Sequence, residues 1–277
     1  MIPPGPVVEC NGARMPVIGL GTWALRGETA EGIVSEALAF GVRHIDTARM
    51  YENEREVGAG IRASRVPRGE VFLTTKILPR ELRADDVKRA AEDSLAKLDV
   101  GYIDLLLIHW PNKDVPLRET LGAFVELKRR RVTRHIGISN FTAAMVDEAV
   151  ALSDEPLVTN QVEFHPYLDQ TKVLAACRRH GMSLTAYSPL AQGRVAGDKA
   201  IGEIAARHGK TAGQVALRWL AQHDGVSMIP RSSKRERVIE NASIEDFTLS
   251  DDEMRRVASL ARGDGRLTQS SFAPKWD

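Results

Sequence analysis

Cysteine is nearly absent: Cys10 and Cys177 are the only two among 277 residues. Two thiols exclude a disulfide framework and a thiolate-only metal site, and they fit a reducing compartment. Long apolar runs are missing as well. The longest, Ile103–Ile108, is far shorter than the ~20 residues needed to span a bilayer. Met1–Pro6 lacks the basic segment followed by an apolar one that marks a secretory signal. A soluble, cytoplasmic protein that engages no membrane is expected. Charge of one sign is not in excess either. Lys and Arg total 38 against 37 Asp and Glu, which excludes a general nucleic-acid binder but leaves room for one local phosphate site. The histidines, His165 and His180 among them, show no paired ligand spacing, so no metal site is expected. No Pro/Gly/Ser-rich linker divides the chain, and no amphipathic segment stands out as an interface. One domain over residues 1–277 and a monomer are the expectation.

What the sequence does contain is alternation. Val7-Val8, the turn dipeptide Asn11-Gly12 and Met15–Val17 read as a hairpin. Strands are then expected at Val17–Leu20, His44–Asp46, Val71–Lys76, Ile103–Ile108, His135–Ile138, Val158–Val162, Ser183–Tyr187 and Val226–Ile229. Between them lie helical stretches at Glu31–Phe40, Glu54–Arg62, Ala84–Leu98, Leu117–Arg130, Ala143–Leu152, Thr171–His180, Ala200–His208 with Ala212–Gln222, and Arg235–Asn241. An extra helix, Asp251–Leu260, precedes a tail. Serial strand–helix units imply parallel strands with right-handed crossovers, and eight of them fit an α/β fold of the (β/α)8 TIM-barrel type, with an N-terminal hairpin and a C-terminal extra helix and tail. Gly19-Leu-Gly-Thr-Trp-Ala24 also satisfies the dinucleotide fingerprint of an open, doubly wound sheet. The bulky Trp23 inside it and the late start of the next helix count against that architecture.

In a barrel the chemistry lies at the C-terminal strand ends. Asp46 ends the second strand, Lys76 the third, His109 the fourth, Ser139 and Asn140 the fifth, Gln161 and Glu163 the sixth and Tyr187 the seventh; Arg231 follows the eighth. Tyr51 lies in the loop after Asp46. Singly these have ordinary explanations: a loop cap, a solvated charge, a satisfied core histidine. Together, at the ends of consecutive strands, they should converge on one mouth. A tyrosine has a free pKa of about 10, so a neighbouring lysine that lowers it, an aspartate that holds the lysine charged and a histidine that orients a carbonyl oxygen would make a general acid.

These residues bring the chain to a family. Gly19-Leu-Gly-Thr-Trp23, Asp46-Thr-Ala-Arg-Met-Tyr51, Thr74-Thr-Lys76, Asp104-Leu-Leu-Leu-Ile-His-Trp-Pro111, Ile136-Gly-Ile-Ser-Asn-Phe141, Asn160-Gln-Val-Glu163, Tyr187-Ser-Pro-Leu190 and Ile229-Pro-Arg-Ser232 occur in the order and spacing of the aldo-keto reductases. The chain resembles that family along nearly its whole length. It looks most like the bacterial 2,5-diketogluconate and methylglyoxal reductases, judged by compact loops and the short ending Ala273–Asp277.

The resemblance implies NADPH-dependent reduction of aldehydes and ketones: small dicarbonyls, keto-sugar acids, β-keto esters or aromatic aldehydes. It implies Tyr51 as general acid, Lys76 lowering its pKa, Asp46 pairing with Lys76 and His109 positioning the carbonyl. For the cofactor it implies Gly21, Thr22 and Asp46 at the backbone approach, Ser139, Asn140 and Gln161 at the carboxamide, Tyr187 stacked on the ring, and Ser188, Leu190 and Gln192 along the pyrophosphate. Ile229, Arg231, Ser232, Ser233, Arg237, Glu240 and Asn241 match the stretch at the adenosine end. Arg231, where the family often has Lys, would give a permanent charge for the 2′-phosphate, so NADPH/NADP+ is the expected cofactor. Trp23, Met50 and Trp110, with Tyr51 and His109, would wall an apolar substrate slot. Arg266, Leu267 and Trp276 would either close over the site or pack as a structural tail, and Asn112 would touch substrate or cap a loop. Two rival readings remain from the residues themselves: a Schiff-base aldolase using Lys76, and a non-catalytic sensor of nicotinamide.

Overall fold

A computed structural model describes residues 5–277. Residues 1–4, most of the segment read above for a signal, lie outside the described residues. The chain opens with an antiparallel hairpin, β1 (Val7–Cys10) and β2 (Ala13–Pro16). Its turn places Asn11 and Gly12 at φ 43° and 84°, the left-handed pair that a two-residue hairpin loop requires.

Eight parallel strands follow: β3 (Leu20–Gly21), β4 (His44–Asp46), β5 (Phe72–Ile77), β6 (Ile103–Ile108), β7 (Thr133–Ser139), β8 (Leu157–Glu163), β9 (Ser183–Tyr187) and β10 (Val226–Met228). The helices between them are α1 (Gly27–Phe40), α2 (Glu54–Ala63), α3 (Ala84–Leu98), α4 (Leu117–Arg129), α5 (Ala143–Leu152), α6 (Thr171–Arg179), then α7 (Lys199–His208) with α8 (Ala212–Ala221). α9 (Arg235–Ala242) and α10 (Asp251–Ala258) complete the chain before the tail. The sheet curls into the expected (β/α)8 barrel. Gly19 N–H donates to Met228 O at 2.8 Å and Gly21 N–H to Pro230 O at 3.1 Å, joining the first barrel strand to the last.

Those two bonds explain the glycine fingerprint. A Cβ on Gly21 would lie 2.7 Å from Ile229 O, and one on Gly19 would lie 2.8 Å from the His44 ring. The glycines permit barrel closure, not a phosphate turn. They also correct the first strand. Val17 does not start it: its N–H bonds Pro6 O beside the hairpin, and the regular strand begins at Leu20. α1 likewise starts four residues earlier than expected, because Gly27–Ala30 carries no apolar periodicity that would have shown it.

Strand alternation sorts the rest. In β6, Leu106 and Ile108 face the helices, whereas Leu105 and Leu107 join Cys10, Ala13, Met15, Phe72 and Val158 in a small interior core. The hairpin thus plugs the lower end of the barrel. Asp104 interrupts that apolar run; Arg68 Nη2 donates to it at 2.6 Å and Leu73 N–H at 3.0 Å. Higher in the barrel the interior is polar, with Thr159, Thr185 and Ser227 hydroxyls linked at 2.9 and 3.0 Å.

His44 belongs to this interior. It is fully buried, shares a hydrogen bond with Thr74 Oγ1 at 3.0 Å, and is pushed down to a pKa of about 3 by burial and then by the charge of Lys76. The unfolded chain protonates the same histidine near pH ~6.5, so it binds the proton first as pH falls. Stability is therefore lost on acidification below that point, by about 2 kcal/mol from pH 6.5 to 5 for this one group. Urea midpoints at pH 7 and 5 should separate accordingly, and His44→Asn should narrow the gap. Equal pH dependence in the two proteins would contradict the assignment.

Candidate active site

The inward positions at the upper strand ends bring the expected residues together. Asp46, Lys76, Ser139, Gln161 and Tyr187 continue the inward series of β4, β5, β7, β8 and β9, and His109 continues that of β6 one residue past its end. Lys76 is fully buried, and its Nζ donates to Asp46 Oδ1 at 2.5 Å, to Thr47 O at 2.8 Å and to Tyr51 Oη at 3.4 Å. Gln161 Nε2 donates to the other carboxylate oxygen of Asp46 at 2.7 Å. Tyr51 sits on a short 3-10 turn, Arg49–Tyr51, with its ring edge-on to His109 at 5.8 Å between centroids. Asn53 secures this loop: it accepts from Thr47 Oγ1 and donates to Thr22 O and Leu25 O. Sequence reasoning missed Asn53, since an asparagine in a loop has no pattern to mark it.

Electrostatics follow from burial. Burial lowers the Lys76 pKa while Asp46 raises it; burial raises that of Asp46 while Lys76 lowers it. The net shift is downward for Lys76 and upward for Asp46, burial prevailing in both, and each partner with its hydrogen bonds offsets part of the other's burial cost. His109 is held well below its ordinary value by burial and then by Lys76, so its ring is neutral near pH 7. Tyr51 departs from expectation. Instead of being lowered by Lys76, its pKa is raised well above 10, by burial first and then by the negative Asp46. The tyrosine is consequently a fully protonated donor.

These groups open on a cavity of about 430 Å³ lined by Trp23, Met50, Tyr51, His109, Trp110, Ser139, Asn140, Gln161 and Tyr187. Gly21, Thr22, Asp46, Ser188, Gln192, Ile229 and Arg231 complete that wall with Leu267–Ser270 of the tail. Lys76 is not in the lining; it lies behind Tyr51. Trp23 and Met50 remain exposed at the rim. Tyr187 Oη donates to Asn140 Oδ1 at 2.9 Å, and Asn140 Nδ2 donates to His109 O at 2.9 Å, tying three strand ends together. Asn140 holds φ 65°. Asn112 takes the bland role: it donates to Pro79 O and accepts from Asp114 N–H, capping its own loop.

A second cavity, about 710 Å³, continues outward. The two share Trp23, Ser188, Gln192 and Arg231. Leu190, Ser232, Arg237, Glu240 and Asn241 line the outer part as expected, together with Thr211–Gly213, which were not foreseen. Ser233 does not reach it. Along the junction Ser188, Ala191 and Gln192 all adopt positive φ, from 48° to 54°, a clustering of strained backbone typical of ligand-binding loops. The cationic end is less free than the sequence suggests. Arg237 is paired with Glu240 at 2.8 Å, Ser232 is engaged with the Lys234 backbone, and Arg231 Nε donates across the groove to Trp23 O at 3.1 Å. A further cavity of about 760 Å³ lies at the opposite barrel end, near Arg14, Arg43 and Arg134. There Arg43 is paired with Glu70 and Arg134 with Asp104, and none of the groups at the C-terminal ends of the barrel strands lines it.

The continuous groove has amide and hydroxyl donors at its inner end and two arginines at its outer end, a donor set that fits a nicotinamide dinucleotide laid along the strand ends. Comparison with known proteins agrees. The model of the aldo/keto reductase family matches residues 17–262. Methylglyoxal reductase DkgB of Escherichia coli O157:H7 is 41% identical over 266 residues, covering 95% of this chain and 99% of that one. A crystal structure described as a 2,5-diketo-D-gluconic acid reductase B superposes with TM-score 0.97 at 48% identity, covering 99% and 98% of the two chains. The Bombyx mori aldo-keto reductase in complex with NADP superposes with TM-score 0.87 at 31% identity, over 93% of each chain.

Proposed function

Since the chain belongs to the aldo/keto reductase family, and is an oxidoreductase that uses a nicotinamide cofactor, we propose that it reduces small aldehydes and ketones to alcohols with Tyr51 as the general acid. The observation that supports this most directly is the hydrogen-bonded series Asp46–Lys76–Tyr51, which ends in a cavity floored by a neutral His109. The bound cofactor would supply the hydride. Asn140, Gln161 and Ser139 would hold its carboxamide, and Tyr187 would pack on its ring.

The chain's own part is orientation and proton supply. A carbonyl entering between Trp23, Met50 and Trp110 meets two groups, Tyr51 Oη and the His109 ring. The neutral imidazole can donate one hydrogen bond and so point the oxygen at the phenol. As negative charge grows on that oxygen, Tyr51 gives up its proton, and the phenolate formed lies beside Lys76 Nζ. The lysine acts at that moment by stabilising the phenolate product, although burial and Asp46 keep the net pKa of the resting phenol well above its ordinary value. Lys76 is unsuited to a Schiff base, because it is buried behind Tyr51 and committed to Asp46 and Thr47.

The relatives named for methylglyoxal and 2,5-diketogluconate point to small, oxygen-rich carbonyls as the substrate class. A NADPH-oxidation panel of methylglyoxal, 2,5-diketogluconate, a β-keto ester and an aromatic aldehyde tests this. Silence across all four, with cofactor bound, would instead favour the sensor reading.

We also propose a preference for NADPH, carried by Arg231 at the outer end. Its Nε holds the Trp23 carbonyl and so fixes the guanidinium at the groove, leaving the Nη donors to meet a 2′-phosphate. Arg231→Ala should lower kcat/KM for NADPH by about 10–100-fold, the worth of one charge-assisted bond, and leave NADH nearly unaffected. Equal losses for both cofactors in steady-state kinetics would remove Arg231 from phosphate selection.

A further inference from the structure

The mechanism does not use Glu163, yet it is fully buried at the end of β8 and does not line the cavity. Its carboxylate instead collects donors from the far end of the chain. Leu267 N–H donates to Oε1 at 2.7 Å and Thr268 N–H to Oε2 at 2.8 Å. His165 Nε2 adds a third bond at 2.9 Å. The His165 Nδ1 atom accepts from Tyr167 N–H at 3.3 Å, so Nε2 carries the proton and the ring donates to Glu163. Tyr167 O in turn accepts from Arg262 N–H at 3.1 Å.

Gly265 marks how closely this tail is seated. A Cβ there would fall 1.8 Å from Tyr167 O, a fixed backbone atom. Immediately beyond, Leu267, Thr268, Gln269 and Ser270 form one side of the cavity that also holds Tyr51 and His109. The tail then turns back, with the Arg266 guanidinium 3.5 Å over the Trp276 ring and that ring edge-on to Trp110. A segment with no helix or strand of its own is thus placed by one buried anion, by a backbone bond and the close seat of Gly265 at Tyr167, and by the ring contacts of Trp276.

We propose that Glu163 is a positioning residue for the substrate: it latches the segment Arg262–Ser270 to the turn after β8, and the latched segment sets the width of the mouth. The inference rests on the carbonyl-reductase reading above. Loss of the latch widens the mouth towards the tail, so small substrates are held less well while the proton donor and the cofactor groove are untouched.

Glu163→Gln keeps the shape but has one acceptor oxygen for three donors. Gly265→Ala forces the segment off Tyr167 without touching Glu163. In both, trypsin should cut after Arg266 about tenfold faster, the effect of losing one charge-assisted bond on local opening. KM for methylglyoxal should rise by a similar factor, with kcat changed less than twofold and the NADPH Kd, read by fluorescence, unchanged. Glu163→Asp should restore part of the protection. If Glu163→Gln does not fold, Gly265→Ala carries the test alone. Unchanged trypsin protection in the folded variants would overturn the latch, as would KM, kcat and Kd worsening together. If the wild-type protein turns over none of the four carbonyls, the functional reading fails, but the protease measurement still decides whether Glu163 holds the tail.

Discussion

Tyr51→Phe should lower kcat for carbonyl reduction by ~10²–10⁴-fold, the usual contribution of a general acid, while the cofactor Kd stays as in the wild type. The expectation follows from which groups in the cavity hold a transferable proton. His109 is buried and neutral, and Lys76 does not line the cavity. Tyr51 and Tyr187 both line the cavity and keep their protons through neutral pH, but the Tyr187 hydroxyl donates to Asn140, whereas Tyr51 has the Lys76 ammonium beside it. Phenylalanine preserves the ring packed against His109 and removes just that proton. The high pKa of Tyr51 sets a second condition: the wild-type rate should show no loss of its acid group between pH 6 and 9, since the phenol titrates well above its ordinary value. Single-turnover absorbance at the cofactor band reports both. A variant retaining more than a tenth of wild-type kcat would leave the proton with another group, and a rate falling through neutral pH as the phenol ionised would mean that Lys76 prevails over burial.

The second large effect concerns the pair beneath Tyr51. Lys76→Met should destabilise the protein by about 3–5 kcal/mol, because it strands the buried Asp46 carboxylate without its counter-charge. Asp46→Asn should cost a similar amount by stranding the ammonium. The double variant should be clearly more stable than the sum of the two losses predicts, since no buried charge is then left alone. Asp46 keeps its bond from Gln161, and Lys76 its bond to Thr47 O, so each single variant should still fold. Urea titration of the four proteins completes the cycle. Strict additivity would show that the two charges are each satisfied by other partners. Lys76→Met and the double variant should lose turnover, because in them the Tyr51 phenolate has no cation beside it; Asp46→Asn should lose part of it, because the ammonium loses the carboxylate that holds it in place.

These expectations show how unevenly the site was legible. Asp46, Lys76 and His109 could be read from the chain because a parallel barrel puts the residue ending each strand at the mouth, and strand ends are visible in sequence. Tyr51 followed by proximity in its loop. The inward or outward sense of individual strand positions was not visible, because strands such as β6 are buried on both faces and carry no polar–apolar contrast. The pKa of Tyr51 was misjudged because a neighbouring lysine is apparent in a motif, whereas burial and the orientation of Asp46 are not. At the outer end of the groove, the motif places Arg237 and Glu240 together but does not show that the two are paired with each other across one helical turn.

The sequence by itself determined the eight strand–helix units, the barrel they make and the residue types at its mouth, since these depend on local periodicity and on which residue ends each strand. Tertiary structure alone decided that Gly19 and Gly21 close the barrel instead of cradling phosphate, that Tyr51 rests as a protonated acid, and that the tail is a wall of the cavity. Each of these depends on groups distant in sequence: Gly21 on Pro230, Glu163 on Leu267 and Thr268. No local pattern encodes such contacts, because the free energy that sets them arises only once both partners have been withdrawn from water into the same small volume.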